Sequence, residues 1–257
     1  MNSVPQARSQ GLSPWMDLLW GAVVLAVLFA LVIPPIAATQ PAAATLATAV
    51  TILLYAAVVA SVLTRWPPHQ NFGWANRATL LRGCMIIILV AIACAVAAGA
   101  ELSVNSLWWY AIAALLALIL DGVDGQLARR TNSASEFGAR FDMELDALFI
   151  LGLCLMVFAL GKAGAWVLAL GLMRYGFVAA AWALPWMNQP LPPSFRRKTV
   201  CVWQIVTLMV AIVPPAPSLL VSVSLATALL LLTWSFFLDV YWLYQRREQW
   251  RAKHETH

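Results

Sequence analysis

The sequence predicts an all-α integral membrane protein with eight transmembrane helices, and three observations lead there. Hydrophobic residues make up 62% of the 257 and charged residues only 11%, a composition far from that of a soluble domain. Apolar runs long enough to cross a bilayer of roughly 30 Å, about 20 residues each, recur along almost the whole chain. They fall near 17–38, 43–64, 83–100, 103–121, 141–160, 163–185, 199–214 and 217–243. Finally, the basic residues alternate with the runs. With the N-terminus inside, the inner segments hold Arg8; Arg65, Arg77 and Arg82; Arg129, Arg130 and Arg140; Arg196, Arg197 and Lys198; and Arg246, Arg247, Arg251 and Lys253. That is fourteen of the sixteen Lys and Arg, as expected when cations near helix ends collect on the cytoplasmic face. An odd number of spans would destroy the alternation, so both termini are expected in the cytoplasm.

Taken in order, the first run has a signal-peptide look, but it is longer than an h-region of ~7–15 residues and reads as a retained helix. With the second it forms an N-terminal hairpin over 1–64. Residues 65–82 are the longest polar interval, with Pro67-Pro68 and then Asn76 to Arg82, and read as a cytoplasmic linker followed by a helix along the membrane surface. A six-helix core over 83–245 follows. Its third helix begins in an acidic motif, and its fifth is short and follows a Pro-rich inner loop that ends in Arg196, Arg197 and Lys198. Residues 246–257 form a basic tail. Cys84, Cys94, Cys154 and Cys201 show no CxxC spacing and read as small core residues. The net charge of +5 reads as topology and attraction to anionic headgroups, without a nucleic-acid partner.

Chemistry concentrates at one place. Six of the eleven acidic residues lie between Asp121 and Asp146, at a membrane boundary where uncompensated charge is costly and usually functional. Asp121 and Asp124 are three apart and Asp142 and Asp146 four apart, so each pair shares a helix face. Two antiparallel helices joined by a short inner loop bring both pairs to a similar depth. Four unpaired Asp in the membrane core would cost on the order of 10 kcal/mol, at about 2.5–3.5 kcal/mol each. Arg129, Arg130 and Arg140 offer some compensation, but an oxygen-only ligand set suits Mg²⁺ or Mn²⁺. Two divalent ions would neutralise four carboxylates, and such a centre suits phosphoryl displacement. Gly122 and Gly125 each cost a helix about 1 kcal/mol relative to Ala, which points to close approach of a ligand or helix. Ala128 continues the small face, and Arg129 offers a planar fork to a phosphate. Together these residues describe a diphosphate site.

The pattern Asp-x2-Asp-Gly-x2-Ala-Arg-x8-Gly-x3-Asp-x3-Asp, running from Asp121 to Asp146, resembles the signature of the CDP-alcohol phosphatidyltransferase family, and the resemblance extends over about residues 72–243. It implies the family's six-helix catalytic core, to which the N-terminal hairpin is an addition. It also implies transfer of a phosphatidyl group from a CDP-linked lipid such as CDP-diacylglycerol to a small alcohol or alcohol phosphate, with release of CMP. Carried onto this chain, Asp121, Asp124, Asp142 and Asp146 would hold the two metal ions, and Asp146 would also be the catalytic base. Gly122, Gly125, Ala128, Arg129 and Gly138 would form the CDP pocket. Asn76, Thr79 and Arg82 resemble the family's Asn-x2-Thr element, which lies before the first core helix and beside the nucleotide. The resemblance also implies a homodimer, and the expected location is a bacterial inner membrane with the site facing the cytoplasm.

On the acceptor side the residues leave alternatives open. Arg174, inside an apolar run, is either a snorkelling cation or an acceptor contact, and Arg196, Arg197 and Lys198 are either a positive-inside anchor or an acceptor-phosphate site. Two other classes compete with the transferase. An intramembrane prenyltransferase would need a second Asp-rich motif, whereas after Asp146 the only Asp is Asp239. A cation carrier would be expected to show inverted repeats or paired broken helices, and neither is visible.

Overall fold

The computed structural model describes residues 14–65, 73–130, 136–192 and 194–248, with the side chains of all of these except 73–75, 123–130 and 136. Eight long helices run through the described residues: α1 Pro14–Thr39, α2 Pro41–Arg65, α3 Gly73–Ala97, α4 Val104–Arg130, α5 Glu136–Ala159, α6 Leu168–Ala183, α7 Phe195–Ile212 and α8 Ser218–Gln245. Each coincides with one of the eight apolar runs. Six of them, α1, α2, α3, α4, α6 together with the 3-10 turn Ala165–Val167 before it, and α8, are long and apolar enough to cross a membrane. The other two begin in charge: α5 carries Asp142, Glu144 and Asp146, and α7 opens Phe195-Arg196-Arg197-Lys198.

Local sequence explains the helix ends. Pro41 occupies the first position of α2, where its missing N–H is no loss and its fixed φ suits a helix. At the end of α3, Gly99 has φ of 99° and donates to the Val96 carbonyl, while Ala100 donates to Ala95. Gly161 repeats this after α5, donating to Phe158 with φ of 66°, while Lys162 donates to Val157. Both are Schellman stops, which need a residue that tolerates the left-handed region. Pro34-Pro35 does not end α1, which continues to Thr39; in lipid, neighbouring helices and hydroxyl side chains help keep such a segment helical.

α3 is the hub. It packs against α1, α2, α4 and α5, while α5 goes on to α6 and α7, and α8 rests on α6 and α7. Accordingly α3 is largely buried, whereas the other five spanning-length helices leave most of their apolar surface exposed, as lipid-facing helices do. Backbones approach closely where side chains vanish: a Cβ on Gly152 would lie 2.7 Å from a Val90 methyl, and one on Gly171 2.8 Å from the Leu151 Cα. Small residues are the usual device for packing helices where no water drives them together. One apolar core runs from Leu18, Val58 and Val62 through Ile86, Ile87 and Leu153 to Leu208 and Leu225. The four cysteines are free, with Cys84 and Cys154 buried.

α3 is also longer than the apolar run within it. It is continuous from Gly73, so the stretch expected to lie along the membrane surface forms the first turns of the same helix. That continuity brings Arg82 nearly three turns into the bundle.

Candidate active site

Three helices meet at one buried guanidinium. Arg82, from α3, is 1% exposed. Its Nη1 donates to Asp121 of α4 and, at 3.1 Å, to Asp146 of α5, while its Nη2 donates to Asp142 of α5. Carboxylate oxygens of the three Asp lie within 4.8 Å of one another, and each Asp side chain keeps about a third of its surface open. Asp142 and Asp146 share a face because they are one helical turn apart. Asp121 reaches the same point because α4 and α5 both pack on α3.

Among the described residues, compensation for the carboxylates comes from Arg82. Of the basic residues expected to supply it, Arg140 is exposed, and the side chains of Arg129 and Arg130 lie outside the described residues. The reason is depth: a cation on the buried face of the hub helix reaches both neighbouring helices, whereas one at the first turns of α5 faces outward. The resemblance groups Arg82 with Asn76 and Thr79 beside the nucleotide, but the sequence gives no sign that it bonds the carboxylates; six residues after Asn76 and three after Thr79, it extends their polar face along α3.

Asn76 and Thr79 are both buried, about two turns and one turn before Arg82, so the Asn-x2-Thr element lies on the same helix as the guanidinium that bonds the acidic cluster. A Cβ built on Gly122 would meet nothing within 4 Å, which removes helix packing as the reason for that glycine and leaves space beside Asp121. Gly138 is half-buried on the first turn of α5. The expected fourth carboxylate, Asp124, and the expected pocket residues Gly125, Ala128 and Arg129 lie on the last turns of α4, and their side chains are outside the described residues.

A cavity of about 490 Å³ opens beside Asp146, between α5, α6, α7 and α8. Its wall is mainly apolar, including Ile150, Phe177 and Leu232, but it also holds Arg174, Arg197, Ser235 and Asp239. Arg174 donates to Glu144 at 2.8 Å, which accounts for a cation in the middle of α6. Arg196 donates to the Ser235 carbonyl and to Asp239, both at 2.6 Å. Arg197 donates to the Pro192 carbonyl and lies 3.6 Å from the other Asp239 oxygen. Of the four expected acceptor-side cations, Arg174 and Arg197 line this cavity. Arg196 lines an adjoining one of about 400 Å³, and Lys198 is exposed. Asp239 was visible in the sequence only as the last remaining Asp; its role as the partner of two arginines depends on α7 packing on α8.

The donor set fits a divalent metal. Among the described residues the cluster offers carboxylate oxygens with no sulfur or imidazole, which suits a hard cation such as Mg²⁺ or Mn²⁺, and three carboxylates against one guanidinium leave net negative charge for it to meet.

No curated protein and no solved structure matches the chain. A family model described as CDP-alcohol phosphatidyltransferase does match, over residues 72–238. The matched segment begins just before α3 and ends within α8, taking in every residue around Arg82 and leaving α1 and α2 outside. More than half of the chain is thus accounted for, and the protein belongs to the CDP-alcohol phosphatidyltransferase family, a class of membrane phosphotransferases.

Proposed function

We propose that the protein transfers a phosphatidyl group from CDP-diacylglycerol or a similar CDP-linked lipid to an alcohol, releasing CMP, at the cytoplasmic side of the membrane. The observation that carries this reading is the shared position of Asp146, which belongs to the carboxylate cluster and also to the wall of the cavity. A nucleotide diphosphate at the cluster and an alcohol in the cavity would meet there.

In this reading Asp121, Asp124, Asp142 and Asp146 would hold two divalent ions, Mg²⁺ or Mn²⁺, which when bound would stabilise the negative charge that develops on the CMP leaving group. Asn76, Thr79, Gly122, Gly125, Ala128, Arg129 and Gly138 surround the CDP moiety. The acceptor hydroxyl gives its proton to Asp146. The acceptor oxygen then forms a bond to the lipid-bearing phosphorus, and the bond from that phosphorus to CMP breaks, with the electron pair leaving on CMP. Arg82 orients Asp146 through its 3.1 Å contact, and the apolar cavity wall keeps water from competing with the acceptor. Eight spans with both termini inside would put the cluster at the inner leaflet, where the basic loops face anionic headgroups.

The test is release of CMP from CDP-diacylglycerol by purified protein with Mn²⁺ or Mg²⁺ across a panel of alcohols and alcohol phosphates. CMP formed in step with a new phosphodiester lipid is the expected result. Bound nucleotide with no CMP from any acceptor would overturn the reading.

A further inference from the structure

The two helices outside the family match do more than lie beside the core. Asp17, in the first turn of α1, is 6% exposed and accepts a 2.6 Å bond from Arg77 Nε on α3. Tyr55 of α2 donates its hydroxyl to the Leu18 carbonyl, tying α2 to the same turn of α1. One turn along, Gly21 makes room for α3: a Cβ there would lie 2.9 Å from both Leu80 Cδ2 and Tyr55 Oη. The Gly21 carbonyl also accepts from Cys84 Sγ at 3.4 Å. On α3, Arg77, Leu80 and Cys84 are spaced three and four apart and form one face, while Asn76, Thr79, Arg82 and Gly83 lie on another. The same three turns are therefore gripped by the hairpin on one side and carry the polar residues of the site on the other.

We infer that the N-terminal hairpin is a positioning element for the active site, with Asp17 and Tyr55 fixing the depth and rotation of the α3 turns that carry Asn76, Thr79 and Arg82. The reason lies in how much Arg82 must do. One guanidinium bonds carboxylates from two other helices, so a small rotation or slide of α3 lengthens several of these contacts at once. Errors near 1 Å in positioning are enough to cost a site much of its efficiency. α4 and α5 hold the other face of α3, but among the described residues the ionic tie at its first turns comes from α1. Asp17 is a positioning residue: it touches Arg77, and acts on the carboxylates through the helix that the two share with Arg82.

The effect on donor affinity rests on the transferase reading, whereas the effect on metal affinity does not. The test uses the full-length protein in lipid nanodiscs, with Asp17→Asn, Tyr55→Phe and the conservative Asp17→Glu, reading Mn²⁺ affinity by electron paramagnetic resonance together with donor KM and kcat. Asp17→Asn is expected to weaken Mn²⁺ binding and raise donor KM by about fivefold, with a smaller fall in kcat because Arg82 also contacts Asp146. Tyr55→Phe should shift both in the same direction by less, and Asp17→Glu should recover part of the loss. A hairpin that only anchors the chain would lower the yield of folded protein and leave Mn²⁺ affinity and KM unchanged, and that result overturns the inference. Should Asp17→Asn fail to fold, Tyr55→Phe carries the same comparison. Wild-type protein that binds Mn²⁺ without turnover would count against the proposed function, while the Mn²⁺ arm would still decide the role of the hairpin.

Discussion

Two ionic clusters flank the cavity beside Asp146, and they are built in opposite proportions. At α3, α4 and α5, one guanidinium serves three carboxylates, Asp121, Asp142 and Asp146. At α7 and α8, one carboxylate, Asp239, serves two guanidinium groups, Arg196 and Arg197. Both remove charge from an apolar surrounding, where an unpaired ion is expensive. Among the described residues the two differ in sign: the first is left short of positive charge and the second short of negative charge. An excess of carboxylate is a demand for cations, and an excess of guanidinium suits a polar or anionic group on a ligand. A purely structural ion pair would come out balanced, as Arg174 with Glu144 does.

The comparison can be broken most sharply at Asp146, where cluster and cavity meet. Asp146→Asn is expected to lower turnover by about a hundredfold or more, the scale of lost general-base catalysis, while CDP binding measured by calorimetry partly survives. Turnover near wild type would remove Asp146 from the role of base. Next is Arg82→Met, which leaves three carboxylates facing one another in a poorly solvated place. Breaking such a buried set by removing one partner costs roughly 3 kcal/mol or more. In thermal melts the variant should be strongly destabilised without metal and recover in millimolar Mn²⁺ more than wild type does. Equal gains from Mn²⁺ in the two proteins would mean that Arg82 is not the counter-ion of this cluster.

Smaller effects belong to the basic cluster. Asp239→Asn frees two arginines that line the cavities between α7 and α8 and is expected to change acceptor KM by several-fold with little effect on donor KM. If donor KM moves and acceptor KM does not, the assignment of the two clusters is reversed. Lys198→Ala should change either constant by less than about twofold, since the side chain is exposed and lines neither cavity; a large acceptor effect would bring it into the site.

How much of this was legible in the sequence depended on the range of the interaction. The helices were legible because apolar runs of spanning length are a local property, and so were the Asp142 and Asp146 pair, whose face-sharing follows from a separation of one turn. The contacts of Arg82, Asp17 and Asp239 were not. Each joins residues tens of positions apart, with separations of 60 for Asp17 with Arg77 and for Arg82 with Asp142, and 43 for Arg196 with Asp239. Such pairs depend on which helix is the hub, and nothing in the periodicity of an evenly apolar chain says that α3 lies at the centre. For Arg82 the resemblance reached as far as a place beside the nucleotide, but its bonds to the carboxylates were hidden by the helix boundary: at the end of a polar interval it looks like a surface cation, whereas a helix that starts at Gly73 puts it inside the bundle.

The most direct test of the account is whether its acid-rich cluster binds divalent ions. Mn²⁺ titration of the purified protein by electron paramagnetic resonance, wild type against Asp121→Asn and Asp142→Asn, reads this without requiring turnover. The account predicts saturable Mn²⁺ binding in wild type that weakens by about tenfold or more in each variant, as expected when a ligand of a hard cation loses its charge. Wild-type Mn²⁺ affinity in both variants would contradict it.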